Sequence, residues 1–77
     1  MRKLQILETQ KQILERMIKE LNKKTNNNYE IIYEDFTIVI KRDKKILHSF
    51  MESYDDKYIT TAQQYAYYYL KALVENF

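Results

Sequence analysis

The 77-residue chain contains no cysteine, glycine, proline or tryptophan. Without cysteine it can form neither a disulfide nor a thiolate metal site, which small domains commonly use to compensate for a thin core. Without glycine and proline, its turns depend on residues such as Asn, Asp and Lys, of which Asn and Asp tolerate left-handed backbone best. A chain of this size buries only about 60% of the surface that its unfolded form exposes.

Long apolar runs are missing as well. No run approaches the roughly 20 residues that cross a membrane, so we expect no membrane association. The basic N-terminus is interrupted by Gln5, Glu8, Thr9 and Gln10, where a signal peptide would need an apolar core. These features indicate a cytoplasmic protein. The abundant Ile, Lys, Asn, Tyr and Phe have A/T-rich codons, a bias typical of a phage or mobile element of a low-GC host, whose cytoplasm would then hold the protein.

The net charge of +2 is too small to indicate a nucleic-acid-binding protein by itself. The distribution of charge is more informative. Residues 1–24 carry seven basic and three acidic side chains, whereas residues 25–59 carry five basic and seven acidic ones. The first helix is therefore expected to form the basic end of the protein.

The apolar pattern predicts one α+β domain, spanning residues 1–77, in the order α-β-β-β-α. Both terminal helices are expected to pack on a three-stranded antiparallel sheet. The first helix covers residues 3–22 and is stopped by the three Asn residues 26–28, because Asn accepts positive φ better than other non-glycine residues. The second helix begins at Thr60 or Thr61, each of which precedes a Gln by the three residues of a capping box.

The predicted strands cover residues 29–33, 36–41 and 46–51. If residues 34–35 form the first turn, Tyr33 pairs with Phe36 and Tyr29 with Ile40, which places six apolar side chains on one face.

The register of the third strand has two alternatives. A two-residue turn places Leu47 on the core face, whereas a three-residue turn places Ile46, His48 and Phe50 there. The bulk of Phe50 favours the second alternative. Leu47 would then join Ile32 and Val39 on the opposite face, where three aliphatic side chains would form a candidate partner patch unless the helices cover both faces.

The second helix has more aromatic surface than one buried stripe requires. Tyr65, Tyr69 and Phe77 fall on that stripe, and the two tyrosines are expected in the core. Tyr67 and Tyr68 lie roughly 120–140° from its centre, on opposite shoulders. Packing against the first helix and the sheet would explain them, and so would a protein interface or a homodimer seam, to which tyrosine is well suited. The predicted protein-binding residues are Gln64, Tyr67, Tyr68 and Lys71.

A second candidate surface is basic. The hairpin tip at residues 41–45 holds four basic side chains and one acidic side chain, and the end of the first helix adds two lysines. Such a cluster could contact phosphate, and stacking on Tyr54 or Tyr58 would add to this. A solvated turn is the simpler explanation, and Asp43 dilutes the positive charge. The predicted nucleic-acid-binding residues of this alternative are Lys23, Lys24, Lys41, Arg42, Lys44 and Lys45.

The element order and size resemble those of the double-stranded RNA-binding domain. That family carries a Gly-Pro-x-His type loop and a Lys-Lys-x-Ala-Lys type start of its second helix. This chain has neither Gly nor Pro, and its second helix begins Thr-Thr-Ala-Gln-Gln-Tyr at residues 60–65, without lysine. The resemblance therefore implies a shared topology without that family's phosphate-binding surface.

No pattern indicates catalysis. His48 and Glu52 are spaced for a helix but fall on a predicted strand, where about 13 Å would separate them. Residues 55–57 match the Asp-x-Lys half of a nuclease signature, but they lie in a predicted loop. Ser49 and Ser53 have His48 as their sole candidate base, and neighbouring strand residues point to opposite faces.

We therefore expect no enzymatic activity, metal or cofactor. The sequence favours a non-enzymatic binding module: a small inhibitor, adaptor or regulator of a protein or nucleoprotein complex. A phage-encoded inhibitor of a host defence nuclease fits the size and composition. Nucleic-acid binding is the alternative, and either role is compatible with a homodimer whose seam is the second helix.

Overall fold

The computed structural model describes residues 8–52 and 61–77. The three strands form an antiparallel sheet of order β1-β2-β3, and the predicted α+β class and element order are confirmed. The elements are α1 (Glu8–Thr25), β1 (Tyr29–Tyr33), β2 (Thr37–Arg42), β3 (Lys45–Met51) and α2 (Thr61–Asn76). Neither helix is long and apolar enough to cross a membrane.

Helix α1 presents an aliphatic stripe of Leu14, Ile18 and Leu21, all buried, to the sheet and to α2. It ends at Thr25, three residues later than predicted. The Thr25 hydroxyl donates a hydrogen bond to the Leu21 carbonyl at 2.7 Å. Asn26 follows with φ of 58°, which confirms that Asn stops this helix in the left-handed conformation.

Asn22 connects the end of α1 to the start of β1. Its Nδ2 donates to the Tyr29 carbonyl at 3.1 Å, and its Oδ1 accepts a hydrogen bond from the Tyr29 amide. One side chain thus satisfies both polar groups of a backbone position that is 2% exposed. These two hydrogen bonds hold the start of β1 next to the last turn of α1.

The first hairpin has a different register from the predicted one. Tyr33 pairs with Ile38 rather than with Phe36, and the Glu34 amide donates to the Thr37 carbonyl at 2.9 Å. The turn therefore lies one residue further along the chain, and the pairing shifts by two. Because side chains alternate with a period of two, this shift leaves the residues of both strands on their predicted faces, whereas Phe36 now lies in the turn.

The second hairpin turns through two residues, Asp43 and Lys44, with φ of 52° and 70°. A type I′ turn requires positive φ at both of its central residues, and its backbone twist matches that of the flanking strands. The three-residue turn favoured by the sequence is therefore wrong.

A β-bulge in β3 nevertheless brings two of the favoured residues to the core face. Ile46 pairs with Lys41, but His48 pairs with Ile40, so Leu47 is the inserted residue. Phe50 then pairs with Ile38, as the core face requires. Ile46 was predicted on the core face, which is wrong, since it lies on the opposite face and is 65% exposed. Leu47 was predicted on that opposite face, which is wrong as well, since it packs against the core.

The two helices form one layer on one face of the sheet. Helix α1 packs on β1, α2 packs on β2 and β3, and the helices pack against each other. Val39 and Ile32 lie on the other face, as predicted, and Val39 is buried there. The buried core is built from Leu14, Ile18, Leu21, Tyr29, Ile38, Ile40, Ala62, Ala66 and Leu70.

Glu52 connects the end of β3 to the start of α2. Its amide donates to the Phe36 carbonyl at 2.7 Å, and its Oε1 accepts a hydrogen bond from the Ala62 amide at 3.1 Å. A carboxylate at a helix N-terminus satisfies a free amide and interacts favourably with the helix dipole. Gln63, which the predicted capping box would use, is buried, and its Oε1 accepts no hydrogen bond from the described residues. The capping role of Thr60 lies outside them.

Candidate protein-binding surface

Helix α2 faces the core with Ala62, Ala66 and Leu70, all of them fully buried. Tyr65 and Tyr68, by contrast, are 60% and 64% exposed. The prediction that Tyr65 lies in the core was therefore wrong, because the helix is rotated so that its alanines meet the sheet. Phe77 was placed wrongly as well: it follows the last helical residue and is exposed.

Tyr67 and Tyr69 flank the buried stripe of α2 on its two sides. Both are partly buried and pack against the core. Tyr67 lies on the side of α1, and Tyr69 lies on the side of β3, where it contacts Phe50. Tyr69, which was expected in the core, is only partly buried. Tyr68 is exposed to solvent, as an interface residue would be.

A groove of about 340 Å³ separates the first turns of the two helices. Helix α1 contributes Gln10 and Ile13, and α2 contributes Gln64, Tyr67 and Tyr68. The two tyrosine rings meet edge to face, with centroids 5.6 Å apart and planes at 73°. The structure thus brings three of the four predicted protein-binding residues together.

Lys71 is the fourth predicted residue. It is exposed on α2, three and four residues beyond Tyr68 and Tyr67, and so lies on the same side of the helix. The five residues that line the groove carry no carboxylate, imidazole or amine. They offer two amides, two phenols and an aliphatic side chain, which suit a partner's apolar or aromatic side chain better than an ionic ligand.

Exposed apolar residues are unevenly distributed over the described part of the chain. The large ones lie in β3, in α2 and at the C-terminus: Ile46, Met51, Tyr65, Tyr68 and Phe77. The outer face of α1 is polar instead, with Gln12, Glu15, Arg16 and Lys19 exposed. The surface suited to association therefore belongs to α2 and β3.

The predicted basic residues come to one end of the molecule. The Asp43 amide donates to the Asn28 carbonyl at 2.9 Å, and the Asn28 amide donates to Asp43 Oδ1 at 3.1 Å. These two bonds hold the hairpin tip beside the end of α1, with Lys23, Arg42, Lys44 and Lys45 exposed around it.

One of the six basic residues has side-chain partners among the described residues. Lys24 Nζ lies 3.6 Å from Glu20 Oε1 and donates to the Val74 carbonyl at 3.4 Å. It thereby neutralises the negative C-terminal end of α2. Lys41 is half-buried and lies on the sheet face away from the two helices, where it pairs with Glu30 in the register of β1. The predicted patch is thus smaller than six side chains.

An aromatic cluster at the β3 edge did not emerge from the sequence. The rings of His48 and Phe50 stack with centroids 4.4 Å apart and planes at 6°. Tyr69 meets them edge-on at 5.2 and 5.6 Å. Burial, with the nearby Tyr29, raises the pKa of Tyr69, and the Arg42 guanidinium opposes this rise. The i,i+2 spacing of His48 and Phe50 on one strand face was the available signal.

Tyr33 lies at the opposite, α1 side of the sheet. Burial raises its pKa, and the carboxylates of Glu15 and Glu8 raise it further. Lys11 Nζ lies 5.1 Å from the ring centroid, a cation–π arrangement. The buried hydroxyl has no hydrogen-bond partner among the described residues. This phenol therefore stays protonated and has a packing role.

Within residues 8–52 and 61–77, no group of three or more metal-ligating side chains could hold an ion. Several residues considered in the sequence analysis lie outside these ranges: Ser53, Tyr54, Asp55, Asp56, Lys57 and Tyr58.

Comparison with known proteins does not identify the site. No protein-family model matches the chain, and neither a curated protein nor a solved structure matches it significantly.

Proposed function

We propose that this protein is a non-enzymatic module that binds a protein partner through the groove between α1 and α2. Tyr67 and Tyr68 form its rim, with Gln64 in its lining and Lys71 beside it. The observation that carries the proposal is the 64% exposure of Tyr68 beside a groove whose described lining residues carry no charge. Exposed, rigid aromatic side chains next to a desolvated depression are typical of interface hot spots.

The groove fits side chains of a protein better than a free small molecule. Its volume of about 340 Å³ is near the lower limit of the roughly 300–1,000 Å³ typical of ligand pockets. Its polar groups are amides and phenols, which orient a neutral partner without the convergent charges that a small ionic substrate requires. A partner would place one or two apolar side chains here and contact Tyr68 and Lys71 around them.

In this role the protein acts by occupying a partner's surface, as an inhibitor, adaptor or regulator in the cytoplasm. Small size, a lack of chemistry of its own and an A/T-rich composition fit a phage- or mobile-element-encoded inhibitor of a host defence complex. A nucleoprotein complex would be a suitable target, because the basic end lies apart from the groove.

Affinity capture with matched tyrosine variants tests the proposal. Wild-type protein, the double variant Tyr67→Ala/Tyr68→Ala and the control Tyr65→Ala are immobilised, and the proteins retained from host extract are quantified. Tyr65 is a matched control because it is exposed to the same degree on the same helix. We expect a protein retained by wild type and control to be lost from the double variant by tenfold or more. Equal retention by all three would contradict the proposal.

A homodimer through the same rim makes a different prediction. Light scattering after size exclusion would then give twice the monomer mass for wild type and Tyr65→Ala, and the monomer mass for the double variant. The partner, in this case, is a second copy of the chain, and the rim is occupied before any host protein binds. A monomeric wild type would exclude this form of the proposal.

A further inference from the structure

The β3 edge combines stacked rings with exposed cations on the same sheet face. Arg42 and Lys45 form the last pair of the second hairpin, and His48 pairs with Ile40, two residues before Arg42 on β2. Two strand residues span about 7 Å. The imidazole and the guanidinium therefore come from neighbouring positions of one face.

The His48 ring is oriented by three neighbours while remaining exposed. It stacks on Phe50 at 4.4 Å and meets the Tyr69 ring edge to face at 5.2 Å. Its Nδ1 lies 3.1 Å from the Ser49 carbonyl oxygen, which restricts rotation of the ring. A preorganised, exposed ring loses little conformational freedom when a second flat group stacks on it.

The cations beside this ring are exposed and form no ion pair with the other described residues. Arg42, Lys44 and Lys45 are exposed. Asp43, the acidic residue among them, uses its Oδ1 to accept a hydrogen bond from the Asn28 amide. The positive φ of Asp43 and Lys44 holds the tip in one tight turn, so its cations extend from a fixed base.

We propose that this edge binds single-stranded nucleic acid, with a base stacked on His48 and the phosphates contacted by Arg42, Lys44 and Lys45. Unpaired bases stack on aromatic platforms without sequence preference, and basic side chains follow the backbone. A base within a duplex is already stacked on both faces and is not available to His48. This surface is separate from the groove between the helices, so the inference does not depend on the proposed protein partner.

Fluorescence anisotropy with a labelled oligothymidine of about 15 nucleotides tests the inference. Titrations between about 50 and 200 mM salt should show an affinity that falls with salt, as phosphate contacts require. We expect His48→Ala to weaken binding about tenfold at each salt concentration. Lys45→Gln should reduce the log–log salt slope by about one unit. Lys19→Gln, which removes an exposed cation from the outer face of α1, and Tyr68→Ala should each change affinity less than about twofold.

Several results would overturn the inference. Absence of binding at the lowest salt concentration would remove the site. Equal affinity of wild type and His48→Ala would exclude stacking, as would a duplex that binds as tightly as the single strand. Competition by an acidic polypeptide as strong as that by oligothymidine would show that the edge recognises negative charge in proteins. Circular dichroism of each variant confirms that its fold is retained, which is expected because His48 and Lys45 are exposed.

Discussion

The two helices use their large side chains in opposite ways. Helix α1 fills the core with Leu14, Ile18 and Leu21 and presents charged residues to solvent. Helix α2 buries Ala62, Ala66 and Leu70 but leaves Tyr65 and Tyr68 mostly exposed. Both helices therefore contribute to the core, whereas α2 in addition carries large exposed side chains that folding of the monomer does not require.

This difference separates positions that stabilise the fold from positions available for binding. A buried aliphatic side chain of α1 loses both transfer free energy and packing when truncated. An exposed tyrosine of α2 loses little of either. The free energy of unfolding and partner binding should thus respond to different residues.

Leu14→Ala should have the largest effect on stability. Leu14 is fully buried, so its truncation should lower the free energy of unfolding by about 2–5 kcal/mol. Lys19→Ala, on the outer face of the same helix, should change it by less than about 0.5 kcal/mol. Urea denaturation followed by circular dichroism measures both. A loss at Leu14 no greater than at Lys19 would refute the role of α1.

Glu52→Ala should have the next largest effect, because it removes the anchor at the start of α2. Truncation leaves the Ala62 amide without its Glu52 acceptor, and losing the partner of a buried donor should cost about 1–3 kcal/mol. Glu52→Gln keeps an acceptor oxygen and should lose less. Urea denaturation of the two variants gives the comparison, and equal losses would show that the acceptor at this position contributes nothing.

Tyr33→Phe should leave stability unchanged at neutral pH or raise it by about 1 kcal/mol, because its hydroxyl is buried without a partner among the described residues. The folded state raises the pKa of Tyr33 above the ordinary value of 10.0 and so holds the proton more tightly than the unfolded chain. Stability should therefore be retained below pH 10 and fall as the pH rises above it. Urea midpoints at neutral and alkaline pH should show a smaller alkaline loss for Tyr33→Phe. An unchanged alkaline loss would contradict this assignment.

Tyr68→Ala should have the smallest effect on stability, below about 0.5 kcal/mol, since most of its surface is already in water. Tyr67→Ala should cost about 1–2 kcal/mol, because this ring packs against the core. Thermal unfolding of the two variants under one condition measures the contrast. Equal losses would mean that Tyr68 is part of the core.

Periodic patterns predicted the element order and most face assignments, because both depend on side-chain alternation. The register of the first hairpin was wrong by two residues, a shift that alternation cannot detect. The bulge at Leu47 depends on packing around Phe50 and Tyr69, which no local pattern reveals. The exposure of Tyr65 was missed for a related reason. Tyr65 and Ala66 both fit the apolar stripe of α2, and the close approach of helix and sheet leaves room only for the smaller Ala66.

The groove was predicted in part. Gln64, Tyr67 and Tyr68 were identified on α2 from their positions around the helix. Gln10 and Ile13 were not identified, because their contribution depends on how α1 lies beside α2. The shared face of His48 and Phe50 was predicted, but their contact with Tyr69 was not, because it depends on how α2 lies against β3.

Site-specific photocross-linking at position 68 tests most directly whether the outer face of α2 is a binding surface. Tyr68 is replaced by p-benzoylphenylalanine, which retains an aromatic ring, and the same group is placed at position 19 on the outer face of α1 as a control. We predict one discrete cross-linked species from position 68 after irradiation in host extract and none of that mass from position 19. The same adducts from both positions, or none from position 68, would contradict the account.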